Sequence, residues 1–284
     1  MKNEEVLPIS NRSYKDAEFI ILGVEDDSGS TYRKGSRYAP KLLRKFITQN
    51  KVDFTEKNEK SIFGLENRPF KADVCDIGNF SVEEGYKISE KIYNNKKKPV
   101  IIGGDHSITF KNLKSRQFEN KWGIVYFDAH PDIISSRGVY FGSVINDISK
   151  LKNFNPQASF IIGMRTPEEE ELKNIKKLGI NVITPLDIEH YGILQISKRI
   201  LRTLEKDTYL SIDMDVLDPA FAPGVTEPEP IGLTPTQVVY LCKQISKKGL
   251  FGFDVMELCP KYDLNNVTLH LAYRIILEII SSSK

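Results

Sequence analysis

Gly123-Ile124-Val125-Tyr126-Phe127-Asp128-Ala129-His130-Pro131-Asp132 is the stretch on which the fold turns. Strand-forming residues run without a polar break and then empty into two carboxylates and an imidazole. A run of this kind reads as a strand, and it ends directly in the acid-rich segment. The pattern recurs twice. Pro99-Val100-Ile101-Ile102 leads into Gly103-Gly104-Asp105-His106-Ser107, and Thr208-Tyr209-Leu210 leads into Ser211-Ile212-Asp213-Met214-Asp215. Carboxylates gathered at the mouth of a sheet repel one another and lose solvent, so a cation has to hold them.

Outward from these segments, short β-rich runs alternate with amphipathic ones. Strands are expected over Phe19 to Val24, Ser159 to Met164, Asn181 to Ile183 and Leu250 to Val255 as well. Helices are expected over Pro40 to Ile47, Glu83 to Asn94, from about Ser107, from the acidic start Pro167-Glu168-Glu169-Glu170-Glu171, and over Ile188 to Leu204, Pro235 to Lys247 and Asn265 to Ile280. The stretch from Ile133 to Asp147 reads as irregular. This alternation argues for an α/β fold, a doubly wound parallel sheet with helices on both faces. In open sheets of that type the functional crevice lies beyond the carboxyl ends of the strands, and all three acid or histidine segments sit there. No repeat or linker interrupts the 284 residues, so residues 1–284 read as a single domain.

The chain is 40% hydrophobic and 27% charged with a formal net charge of +2, which gives no footing for nucleic-acid or membrane binding. The start is too polar for a signal peptide, and no apolar run is long enough to span a bilayer. Cys75, Cys242 and Cys259 have no paired spacing, so they read as reduced, structural thiols of a cytoplasmic protein.

Alternation along an extended segment puts Asp128, His130 and Asp132 on one side, and likewise Asp213 with Asp215. With His106 the set holds two imidazoles, four carboxylates and no thiolate. Such ligands favour Mn²⁺ or a similar divalent ion over a Cys-based zinc site, and they are numerous enough for two ions. Singly, each piece has a plainer reading as a loop or helix cap. Asp105 reads equally as support for His106 or as a helix cap, Asp218 as a turn-former, and His190 and His270 as structural.

Gly103–Ser107, Asp128–Asp132 and Ser211–Gly224 resemble the three signature blocks of the ureohydrolases, a family that includes arginase, agmatinase, guanidinobutyrase and formimidoylglutamase. The likeness extends to Gly23–Arg44 and to Gly252-Phe253-Asp254-Val255-Met256-Glu257. It implies the arginase-like three-layer fold and two Mn²⁺ per subunit, about 3.5 Å apart. His106, Asp128, Asp132 and Asp213 would hold one ion; His130, Asp128, Asp213 and Asp215 would hold the other. It further implies a hydroxide between the ions that attacks a guanidinium carbon to release urea and an amine. Asp132 would be its hydrogen-bond partner, and Glu257 the carboxylate that orients the guanidinium. A homo-oligomer, trimer or hexamer, is implied in the same way.

Two departures bear on the substrate. Family members place a proton-shuttling histidine in the loop after the Asp-Ala-His block, and here no histidine occurs between His130 and His190. Water, Asp132 or Tyr140 would have to move that proton. Arginase also uses an asparagine where this chain has Ile134, which counts against arginine. Asp218 to Leu233, with its Pro228-Glu229-Pro230 step, is similar to agmatinases, and Glu227 replaces a commoner threonine. Negative charge from Glu227 and Glu229 favours a cationic tail, so agmatine, cleaved to putrescine and urea, is the expected guanidino substrate. Arg137 points the other way, toward a carboxylate-bearing guanidino or formimino substrate. A metal-binding protein that lost turnover is the remaining alternative, and Glu257 argues against it.

Overall fold

The computed structural model describes residues 6–49, 70–136, 138 and 140–283. Its strands are β1 (Phe19–Val24), β2 (Val74–Phe80), β3 (Lys98–Ile102), β4 (Trp122–Phe127), β5 (Phe160–Ile162), β6 (Asn181–Ile183), β7 (Asp207–Asp213) and β8 (Gly252–Met256). All pair in parallel, in one sheet of order β2-β1-β3-β8-β7-β4-β5-β6. The helices are α1 (Ala39–Gln49), α2 (Val82–Asn94), α3 (Ser107–Lys114), α4 (Val144–Ile148), α5 (Glu169–Leu178), α6 (Pro185–Tyr191), α7 (Ile193–Thr203), α8 (Pro235–Lys248) and α9 (Val267–Ser282).

Period-two geometry divides the strand side chains between two cores. Phe19, Ile21, Val125, Phe127, Leu210 and Ile212 share one core with Leu43, Ile47, Ile196, Ile200, Val238, Leu241 and Ile276, from α1, α7, α8 and α9. On the other face Ile124, Tyr126 and Tyr209 pack with Leu113 of α3 and Val144 to Ile148 of α4, and Ile20, Leu22 and Ile101 pack with Ile92 of α2. Three layers follow, as the alternation of runs predicts. Among the described residues, no helix is long and apolar enough to cross a membrane.

The departures from the expected elements have local causes. The Ile188 to Leu204 helix is two, α6 and α7, broken at Gly192, whose φ of 79° and ψ of 144° no helix continues through. Ile188, Ile196 and Ile200 still face one core, which is why the periodicity reads as unbroken. Strand β2 is hidden in the sequence because Asp76, Gly78 and Asn79 interrupt its apolar pattern. Asn265 and Asn266 have φ of 52° and 59°, so α9 starts only at Val267. Part of the supposed irregular stretch is a 3₁₀ turn, Phe141–Ser143, followed by α4.

Asp76 owes its burial to Arg44 of α1, whose Nε and Nη2 donate to its two carboxylate oxygens at 2.9 and 2.7 Å. The pair ties α1 to the edge strand β2 with both side chains almost fully buried. Arg44→Leu strands the Asp76 charge, and removing one partner of a buried pair costs about 3–5 kcal/mol. Urea denaturation is expected to show a loss of that size, with Arg44→Lys intermediate.

Candidate metal centre

One row of paired residues crosses the middle of the sheet: Ile102 pairs with Val255, Val255 with Ile212, and Ile212 with Phe127. Four adjacent strands, β3, β8, β7 and β4, therefore end level with one another. Just beyond that row lie Asp213, the last residue of β7, and Asp128, the first residue after β4. His106 follows β3, and Glu257 follows β8.

The alternation expected for Asp128, His130 and Asp132 is not what brings them together. Strand β4 stops at Phe127, and the chain then turns through Asp132 at φ 50°. His130 N donates to Asp128 Oδ1 at 2.6 Å, and Ala129 N donates to Asp215 Oδ1 at 3.1 Å. Asp213 likewise caps a 3₁₀ turn, Met214–Val216, accepting from Asp215 N at 2.8 Å. Backbone amides thus fix one oxygen of each of Asp128, Asp213 and Asp215, leaving the other for a ligand.

Those other oxygens converge. Around His106 Nδ1 lie the Tyr126 hydroxyl at 2.9 Å, Asp128 Oδ2 at 3.0 Å, Asp213 Oδ2 at 3.1 Å and Asp132 Oδ2 at 3.9 Å. His130 Nδ1 lies 3.1 Å from Asp215 Oδ2 and 3.4 Å from Asp128 Oδ1. Two ligand groups result, His106–Asp128–Asp132 and Asp128–His130–Asp215, sharing Asp128. One imidazole N–H cannot satisfy so many acceptors, and Asp128 Oδ2 is buried with no hydrogen-bond donor. The donor set and the unsatisfied oxygen both fit divalent cations bound by oxygen and imidazole.

The electrostatics say the same. Burial, with Asp128 beside it, holds the Asp132 carboxyl well above its usual range; burial, with Asp215 and Asp128, does so for Asp213. Burial would also raise Asp128, but the imidazoles of His106 and His130 overcome it and leave it at about 2. For both histidines the carboxylates outweigh burial and raise the imidazole above its ordinary value. Positive charge is what this cluster lacks.

A polar layer beneath His106 escapes a reading of the strand ends. His106 Nε2 meets Ser211 Oγ at 2.8 Å, and Ser211 donates to Asp254 Oδ1 at 2.6 Å. Thr109 and Tyr209 donate to Asp254 Oδ2 at 2.8 and 2.9 Å. Tyr126 stacks on the His106 ring and donates to Asp132 Oδ2 at 2.5 Å. Ser and Asp in the middle of otherwise apolar strands were the available signal.

Glu257, at φ 61°, turns its carboxylate to accept from His106 N at 2.7 Å and Thr226 Oγ1 at 2.5 Å. Burial and the nearby Asp105 push it up to about 8. Asp105 does two jobs, accepting from Gly29 N at 2.7 Å and from Ser107 N at 3.0 Å. The space above the carboxylates is narrow, lined by Asp128, His130, Asp132, Asp213, Asp215 and Glu257 together with Phe141, Thr226 and Glu227. Tyr140 lines a separate cavity of about 500 Å³ with Tyr86, Phe110, Lys111 and Lys114. Glu227 and Glu229 border an outer cleft with Tyr32 and Arg33. Arg137 lies outside the described residues. His190 is exposed on α6, His270 packs edge-on against Phe46, and Asp218 accepts turn amides from Ala220 and Gly232.

Fold and site together define a three-layer α/β protein built on one parallel sheet, with a carboxylate–imidazole cluster fit for metal at its carboxyl edge. Residues 17–281 match the model of the arginase family, and the chain belongs to that family. It is a ureohydrolase with agmatinase-like relatives. An agmatinase of Neisseria meningitidis is 27% identical over 287 residues, covering 96% of this chain and 90% of that protein. The agmatine ureohydrolase of Thermoplasma volcanium superposes with a TM-score of 0.81 at 26% identity, covering 98% of this chain and 94% of that one. A Trypanosoma cruzi formiminoglutamase variant shares the fold with a TM-score of 0.85 at 19% identity, covering 96% and 95%.

Because Asp128 belongs to both ligand groups, Asp128→Asn is expected to abolish Mn²⁺ binding in equilibrium dialysis. His106→Ala and His130→Ala should each retain one of two sites. Equal loss in all three variants would contradict two separable groups.

Proposed function

We propose that this chain, as a single domain spanning residues 1–284, hydrolyses agmatine to putrescine and urea at a two-Mn²⁺ centre. The observation that carries the reading is the placement of Glu257 beside two ligand groups in one small chamber. His106, Asp128, Asp132 and Asp213 would hold one ion and His130, Asp128, Asp213 and Asp215 the other. When bound, such a pair supplies a water that ionises near neutral pH.

The remaining work belongs to the chain. Each Glu257 oxygen already takes one donor from the protein and retains a lone pair. The two can accept parallel N–H groups of a guanidinium, fixing its plane. Phe141 brings an apolar ring to the roof and no proton. Asp132, which lines the chamber and accepts from Tyr126, would take the proton of the attacking water and pass it to the departing nitrogen.

Glu227 and Glu229 at the outer cleft support a cationic tail. Arg33 in the same cleft favours a second reading, a substrate ending in a carboxylate. A cytoplasmic homo-oligomer goes with the agmatinase reading on family resemblance alone.

Urea release with Mn²⁺, measured in parallel on agmatine, arginine and 4-guanidinobutyrate, is expected to favour agmatine. Ammonia and formamide release from formimidoylglutamate covers the formimino case. Turnover of 4-guanidinobutyrate or formimidoylglutamate above agmatine would shift the assignment to Arg33, and no product from any of them would end it. Glu257→Gln keeps its shape but loses charge-assisted pairing. We expect kcat/KM to fall about 10- to 100-fold, the equivalent of about 1.5–3 kcal/mol, with metal content unchanged.

A further inference from the structure

His130 presents Nδ1 to Asp215 and Asp128, which leaves Nε2 on the far edge of its ring. There Nε2 faces Glu227 Oε2 at 3.6 Å. His106 is held otherwise, for its Nε2 meets the neutral hydroxyl of Ser211, backed by Asp254. The two imidazoles, one in each ligand group, thus have unlike supports: a relayed hydroxyl for one and a bare carboxylate for the other. Glu227 also stands where the resemblance leads one to expect threonine, which carries no charge. Its side chain is only 22% exposed and lines the metal chamber, so it is not a freely solvated loop charge.

Building on the two-metal reading above, we infer that Glu227 is a positioning residue that orients His130 for metal and tightens the second ion. A carboxylate on Nε2–H selects the tautomer whose Nδ1 lone pair is bare, and it makes that nitrogen a stronger donor. At 3.6 Å the contact is an ion pair and not a hydrogen bond, so the support Glu227 gives is that of its charge. His106 needs no charged support, because Asp128, Asp132 and Asp213 all lie within 3.9 Å of its Nδ1. On the His130 side the described ion-pair partners of Nδ1 are Asp128 and Asp215 alone. Glu227 adds a negative charge from outside the ligand shell, on the far side of the ring.

The test uses the whole protein, stripped with a chelator and titrated with Mn²⁺ by equilibrium dialysis, with electron paramagnetic resonance on the loaded samples. Wild type is expected to bind two ions and give the spectrum of an exchange-coupled pair. In Glu227→Thr the first ion should bind as in wild type and the second about 10- to 100-fold more weakly. At the same loading, the spectrum of isolated Mn²⁺ should then dominate. Glu227→Gln keeps an acceptor oxygen without the charge, and should recover part of the second site. The inference is overturned if second-ion affinity stays within about two-fold of wild type in both variants. It is equally overturned if both ions weaken together while the metal-free protein loses thermal stability, which marks a merely structural role. Fewer than two ions in wild type would instead defeat the two-metal reading itself.

Discussion

Mutual repulsion among four buried carboxylates, Asp128, Asp132, Asp213 and Asp215, is the constraint around which this molecule is arranged. Two of them are neighbours because Phe127 and Ile212 are paired in register, so the residues that follow must also be adjacent. The fold answers the repulsion with two imidazoles and with amides that fix one oxygen on each of three carboxylates. The answer is incomplete: Asp132 and Asp213 are still held well above the usual carboxylate range, and Oδ2 of Asp128, the member common to both ligand groups, has no hydrogen bond. A cation-binding function follows from electrostatics before any relative is consulted.

The two faces of the sheet divide the labour. The face packed by α1, α7, α8 and α9 carries an almost wholly apolar core, which supplies the hydrophobic drive for folding. The opposite face gives up apolar contact beneath the site and places Tyr126, Ser211, Asp254 and Thr109 there. Asp254 is completely buried, and burial alone pushes its carboxyl up, yet three hydroxyls donate to it. A satisfied network of this kind rigidifies the ring above it. His106 is therefore fixed from below, at Nε2, and from the side, by the stacked Tyr126.

Above the carboxylates the construction is looser and more particular to this chain. Phe141, Thr226 and Glu227 close the narrow space above the carboxylates, while Arg33, Glu227 and Glu229 line an outer cleft. Mixed charge in that cleft explains why the loops permit two substrate readings.

Much of this was legible in the chain itself. Unbroken apolar runs announce parallel strands because both faces are covered, and their acidic ends mark the crevice. The six ligand-type residues and Glu257 stand in short motifs readable without coordinates. What only the tertiary structure decided were relations between distant segments. Strand order places β8 and β7 between β3 and β4, and register sets Asp213 beside Asp128. Strand β2 and the break at Gly192 were hidden because a buried ion pair and a shared core face mimic other patterns. Glu227 beside His130, and Asp254 beneath Ser211, depend on side chains far apart in sequence meeting across strand ends. Local sequence fixes what a segment can become; which groups then face each other is set by packing, because non-local distances have no local code.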